Sequence, residues 1–341
     1  MNLLFQEMNQ MPSKSKKIRE QGQPVLPTVK QEKDPTKQGR TRGRALKETN
    51  KRYSRIKKRI MPKILDVIRS TDKKIIQNNI EVNKRVYEYQ IDQSLIGNLS
   101  QFILNILNDE LSTSTYQSYD NHWLSLLAQG AYQSGASDVL QSAKNISTAK
   151  NVGQDLSLVV RSVGVDALIN NQQYLRRVGL VKGRVLENMQ GLTNQTRSDI
   201  VDTLSRGMAN GDGIGSITKN ITERIDVSRS RAQRIARTEI NNAYRQASRN
   251  ETQTVNDELF DDSDYEMRLL WFSALSPTTR KTHKSRHGIV YTPAEVNQFY
   301  SRDGNAINCL CSQTQILVNK KTGQIFQSEL IAEMKAEREA A

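Results

Sequence analysis

Residues 192–252 read LTNQTRSDIVDTLSRGMANGDGIGSITKNITERIDVSRSRAQRIARTEINNAYRQASRNET. The first half gives a helix, a glycine-rich turn over 207–215 and a second helix. Ser228 then precedes a long amphipathic helix, because Ala232, Ile235, Ala236, Ile240, Ala243 and Ala247 recur at three- and four-residue steps and share one face. The pattern extends outward. No proline occurs between Pro62 and Pro277, and a proline-free run of that length is most simply helical.

Toward the N-terminus, Ile64, Ile68, Ile75, Val82, Val86 and Tyr89 predict one long helix. Leu95, Leu99, Phe102, Ile103, Ile106 and Leu107 predict a second, opening after Asp92-Gln93-Ser94. Residues 120–191 carry many small side chains and a weaker helical pattern, including an amphipathic run over 156–180. Toward the C-terminus the period changes. YEMRLLWFSA, GIVYT and TQILVN read as short strands, KKTG as a turn and QSELIAEMKAEREAA as a terminal helix. The expected fold class is mainly α, with long helices, a small C-terminal α+β module and a disordered basic N-terminal arm. The expected division is an arm over 1–60, a helical domain over 61–191 and the α+β module over 192–341.

The arm rests on charge. The net charge of +14 is concentrated in residues 1–61, where seventeen Lys and Arg face five acids and four of the seven prolines lie within the first 35 residues. The cations expected to contact a partner are Lys14, Lys16, Lys17, Arg19, Arg40, Arg42, Arg44, Lys47, Lys51, Arg52, Arg55, Lys57, Lys58 and Arg59. Clusters spaced by flexible residues suit a polyanion, so the expected partner is double-stranded DNA bound through its phosphates without base readout. Residues 40–59 are rich in helix formers and could become helical on an acidic partner. No apolar run reaches eighteen residues, so no membrane span is expected. The first apolar patch precedes the basic residues, the reverse of a secretory signal, and the chain is expected to be made in the cytosol.

Few residues offer chemistry. GxGxxG, GxxxxGK[ST] and HExxH are absent, which removes the usual nucleotide and zincin motifs. Two of the three histidines and both cysteines cluster: His283 and His287 are four apart, and Cys309 and Cys311 form a C-x-C pair. Together they make a Cys2His2 set of the softness zinc prefers. C-x-C is tighter than the usual C-x2-4-C, however, and a packed polar core without any cofactor is the plainer expectation. Arg237 and Glu239 are two apart on a helix and cannot face each other. Each is expected to reach a partner elsewhere, such as Arg280, His283 or backbone groups of the module.

The run RAQRIARTEINNAYRQASRNE, a strand carrying Trp271, then TTRKTHKSRHG and a C-x-C pair resemble the phage Mu protein F-like, or phage head morphogenesis, family. The resemblance covers roughly residues 192–318. Arg237, Thr238, Glu239, Trp271, Arg280, His283, Gly288, Cys309 and Cys311 take the family positions. Where the family commonly has an acidic residue before this arginine segment, the chain has Pro277-Thr278-Thr279. The resemblance implies a non-enzymatic minor head protein of a tailed phage, added beside the portal during procapsid assembly in the host cytoplasm. Its implied partners are portal, capsid or scaffolding proteins, and its implied place is the virion interior, with possible delivery alongside the genome. Two rival expectations are a zinc-dependent nucleic-acid enzyme and a scaffold that never touches DNA.

Overall fold

A helix of 46 residues, α5 (Ile214–Leu259), is the axis of the molecule, about 69 Å long. The computed structural model describes residues 34–79, 84–112, 121–147, 171–326 and 328–340. Of four more long helices, α1 (Gly39–Ser70), α3 (Trp123–Ser147) and α4 (Gln172–Ala209) pack on the axis, and α2 (Gln93–Leu111) packs on α1 and α4. A hairpin of β1 (Lys73–Asn79) and β2 (Lys84–Tyr89) interrupts them. The C-terminal module contains β3 (Tyr265–Phe272), α6 (Lys281–Lys284), β4 (Val290–Tyr291), α7 (Pro293–Tyr300), β5 (Ser312–Asn319) and α8 (Ser328–Ala340). The chain is thus mainly helical with a small sheet module near its end.

The expected break at Ser228 does not occur. Ser228 is no cap; it is buried inside α5, and its hydroxyl bonds Tyr53 of α1 at 2.6 Å and Thr196 of α4 at 2.5 Å. A polar residue that reads locally as a helix start is here a tether among three helices. α5 also continues through residues 256–259 before the chain turns into β3.

The disordered arm is corrected over its second half. Residues 34–38 are ordered and α1 begins at Gly39. Ala45, Thr49, Tyr53, Ile56, Ile60 and Ile64 form a narrow buried stripe along α1, repeating at three- and four-residue steps. That stripe is sparse enough to be masked by the charges between its members. The cations expected to meet DNA at Lys14, Lys16, Lys17 and Arg19 lie outside the described residues, as does most of the amphipathic run over 156–180.

The long helix expected from residue 64 ends at Ser70. The Thr71 hydroxyl turns back to the Val67 carbonyl at 2.8 Å, and β1 and β2 pair antiparallel from Lys73↔Tyr89 to Asn79↔Lys84. Tyr89 packs in the core while Ile75 is exposed, so the apolar positions of this stretch do not form the single buried stripe of a helix. The start expected at Asp92 is present, its carboxylate accepting from the Ser94 amide. The boundary expected at 191 falls inside α4, and one apolar cluster runs without a break from Ala45 to Ala247.

Close approach explains the small residues of α3. A Cβ added at Gly135 would collide with the Tyr244 carbonyl and lie 3.0 Å from Ala247 Cβ, so α3 and α5 meet almost backbone to backbone.

In the module, β3 is central, antiparallel to both β4 and β5, with Tyr265↔Asn319 through Phe272↔Ser312 in register. Its alternation separates two apolar groups. Leu269 and Trp271 join Val296, Tyr300, Cys309 and Cys311, whereas Leu270 joins Ile316, Val318 and Met334 beneath α8. Gly288 has φ +74°, and a Cβ there would sit 2.9 Å from Met334 Cβ. Both its backbone conformation and the closeness of α8 call for glycine.

Candidate functional site

The loop between α7 and β5 carries the cysteines, and its shape is imposed from outside. Asp303, Gly304 and Asn308 all have positive φ, an arrangement that costs energy in the two non-glycine residues unless surrounding bonds hold it. Arg280 supplies such bonds from one side, donating to the carbonyls of Gly304, Asn305 and Ile307 at 3.1, 3.1 and 2.9 Å. From the other side, Arg237, Asn241 and Arg245 project at four-residue steps along α5. Arg237 donates to Asn308 Oδ1, Asn241 and Arg245 each donate to the Cys309 carbonyl at 2.8 Å, and Thr238 accepts the Asn308 amide.

The same α5 segment also holds α4. Glu239, buried, accepts from Arg184 Nε at 2.8 Å and from Asn188 at 3.2 Å. Arg237 and Glu239 therefore serve opposite sides of one helix, as their spacing requires. Asn241 accepts from Arg42 at 2.8 Å, and the Pro35 carbonyl accepts from Ser312. These bonds fasten the start of α1 to the cysteine loop.

Inside the loop lie three side chains with metal-ligand chemistry. His283, at the end of the short α6, places Nδ1 3.3 Å from Cys309 Sγ and 3.6 Å from Cys311 Sγ. All three residues are buried. The Cys311 amide donates to Cys309 Sγ at 3.3 Å, which bends the C-x-C segment so that both sulfurs face the imidazole. Trp271, Phe299 and Tyr300 pack round the imidazole, with Trp271 stacked on Tyr300 at 5.2 Å. His287 is not part of this group. Its Nδ1 accepts the Ser273 amide and its Nε2 meets Glu337 of α8, both at 3.0 Å. The expected four-ligand set is thus a three-ligand set with His287 elsewhere.

Charge around the sulfurs is positive. Arg245 is fully buried and, among the described residues, reaches only carbonyls and the Tyr300 ring. Arg249, also buried, lies over the same ring, and burial followed by the charge of Arg245 lowers its pKa to about 10. Cys309 is pulled well below the ordinary thiol range, chiefly by the hydrogen bond from Cys311, with Arg245 and His283 adding to the shift against the effect of burial. Cys311 is pushed up, first by sharing that bond and then by burial. The shared hydrogen bond thus separates the two thiols, favouring the thiolate at Cys309 over Cys311.

The basic residues of α1 divide by direction. Arg42 turns inward to Asp34 and Asn241; Arg52 bonds Glu48 and the Glu110 carbonyl and lies over Trp123; Arg55 and Arg59 pair with Glu110 and Asp109. Arg40, Arg44, Lys47, Lys51 and Lys58 are exposed, make no ion pair among the described residues and lie opposite the buried stripe. Lys57 is also exposed, on the flank.

Residues 198–314 match the family model described as Phage Mu protein F like protein. This segment is a Mu F-like module. It spans the end of α4 through the first three residues of β5 and includes His283, Cys309 and Cys311. No curated protein and no solved structure matches the chain. The match covers about a third of the chain and links that segment to phage head morphogenesis. No helix among the described residues is long and apolar enough to cross a membrane.

Sequence reasoning did not single out Asn241, Arg245, Tyr300 or Asn305. For the first two a signal existed: Arg237, Asn241, Arg245 and Arg249 follow one another at steps of four on an otherwise alanine-rich helix. Tyr300 and Asn305 become functional only through the loop's turns, which carry no periodic signature.

Proposed function

We propose that this protein is a minor head protein of a tailed phage, acting during procapsid assembly near the portal and holding DNA without sequence preference through α1. The family match of residues 198–314 supports the head role. The observation that carries the DNA contact is the outward row Arg40, Arg44, Lys47, Lys51 and Lys58. It runs about 27 Å along a rigid helix, with its cations free to meet successive phosphates. On this reading the helical body and module bind portal or capsid protein, and no catalysis is involved.

The test uses charge reversal in the full chain. Deletion to residue 61 would remove Ala45, Tyr53, Ile56 and Ile60 from the core and confuse folding with binding. Five phosphate contacts predict a slope of about −4.5 in log affinity against log salt, or roughly a 500-fold loss between 50 and 200 mM. Converting Arg44, Lys47, Lys51 and Lys58 to Glu should remove most of that slope while the helical circular dichroism stays unchanged. A chain starting at Asp34 should keep it. If the reversal variant binds like the parent, α1 is not the DNA face; if neither chain binds, the protein is a head component without DNA contact.

A further inference from the structure

We propose that His283 Nδ1, Cys309 Sγ and Cys311 Sγ bind one zinc ion, with the fourth coordination position facing the cleft beside Thr279 and Arg280.

The spacing of the donor atoms fits. Zinc bonds of about 2.3 Å to sulfur and 2.0–2.1 Å to nitrogen, arranged tetrahedrally, put sulfur and nitrogen about 3.6 Å apart. The two observed separations are 3.3 and 3.6 Å, and all three donor atoms lie within 4.8 Å of one another. Two thiolates and one imidazole are a soft set suited to zinc rather than to calcium or magnesium.

The imidazole is also oriented for this task. Asn305 donates through Nδ2 to the Phe299 carbonyl at 3.0 Å, which leaves its Oδ1 toward His283 Nε2 at 3.3 Å. Nε2 therefore keeps the proton and Nδ1 presents its lone pair to both sulfurs, the arrangement that a carbonyl behind a ligating histidine produces. The Cys311 amide bonded to Cys309 Sγ completes the support behind a sulfur ligand.

Three protein ligands leave one position open. A cleft of about 60 Å³ is lined by all three ligand residues together with Ser276, Thr278, Thr279 and Arg280. Water from this cleft would fill the fourth position. On binding, each thiol that carries a proton loses it to solvent, and the ion forms two sulfur bonds and one nitrogen bond. The ion would then join α6 to the C-x-C segment and lock a loop already held by Arg280 and Arg245.

The chain has only two cysteines, which makes the test clean. Full-length protein purified without chelator should contain one zinc per chain by elemental mass spectrometry. After removal of metal, added cobalt should give a near-ultraviolet thiolate-to-cobalt band and the strong visible absorption of tetrahedral cobalt, and azide should shift the visible band through the open position. Cys309→Ser with Cys311→Ser, or His283→Ala, should reduce bound zinc at least tenfold, whereas His287→Ala should retain it. Wild-type protein with neither stoichiometric zinc nor the cobalt band would overturn the proposal, as would zinc retained in the double serine variant. Should the serine variants fail to fold, the cobalt spectrum of the wild type decides alone.

Discussion

Tyr53 and Ser228 lie 175 positions apart and share a buried hydrogen bond of 2.6 Å. Since Ser228 also bonds Thr196, three hydroxyls tie α1, α4 and α5 together where apolar packing alone would leave their register free. Burial raises the Tyr53 pKa, so the phenol stays protonated and able to donate across the physiological range. Tyr53→Phe should lower stability by about 1–2 kcal/mol, measured as a drop in urea midpoint with unchanged m. Tyr53→Ala should cost about 3–5 kcal/mol by adding a cavity. An unaltered midpoint in the phenylalanine variant would mean that the hydroxyl chain contributes nothing.

Two glycines on α3 should respond in opposite directions. Gly135 faces the backbone of α5 at Tyr244, and Gly135→Val should destabilise by about 1–3 kcal/mol through overpacking. Gly130 is exposed, and a Cβ added there would meet nothing within 4 Å, so Gly130→Ala should stabilise by up to about 1 kcal/mol through helix propensity alone. Thermal unfolding of the two variants beside wild type checks both signs at once.

His122 predicts a pH dependence. It is fully buried between α2 and α3, its Nε2 donating to the Leu111 carbonyl at 3.1 Å while its Nδ1 accepts the Ser125 amide. Burial lowers its pKa; the Leu111 carbonyl opposes this and the charge of Arg52 adds to it. The unfolded histidine has a pKa of about 6.5. Below that pH the unfolded chain takes up a proton that the folded chain does not, so stability falls as pH drops from about 6.5 toward the depressed folded value. Above about 6.5 the contribution is level. Unfolding midpoints between roughly pH 5 and 7.5 should show a steeper acid loss in wild type than in His122→Gln; parallel curves would contradict the assignment.

What could be read from sequence was governed by periodicity. The helical patterns of residues 93–111 and 229–252 and the strands β3 and β5 each repeat a signal several times, whereas the continuity of α5 through Ser228 carried no local sign. The Mu F-like positions were legible because residue identities, not only polarity, recur at fixed separations. α1 was missed as part of the body because its stripe of Ala45, Thr49, Tyr53, Ile56 and Ile60 is thin beside its charges. The hairpin was missed because Ile75, Val82, Val86 and Tyr89 can be fitted to helical steps as well as to strands. The site was half legible: His283, Cys309 and Cys311 stood out as residue types, but the separation of His287 depends on Ser273 and Glu337, which touch it only after folding.

Arg280 offers the sharpest separation of loop architecture from charge. One guanidinium serves three carbonyls of residues 304–307, which a lysine ammonium cannot reproduce because it lacks the planar fork. Arg280→Lys keeps the charge and loses the geometry. Hydrogen exchange should then rise locally over residues 301–311, by roughly 5- to 150-fold for a loss of about 1–3 kcal/mol, while the amides of α5 keep their protection. If exchange rose equally across α5, Arg280 would be supporting the whole fold. If it rose nowhere, the positive-φ loop would be held from the α5 side alone, by Arg237, Asn241 and Arg245, and the Arg280 contacts would be incidental to its shape.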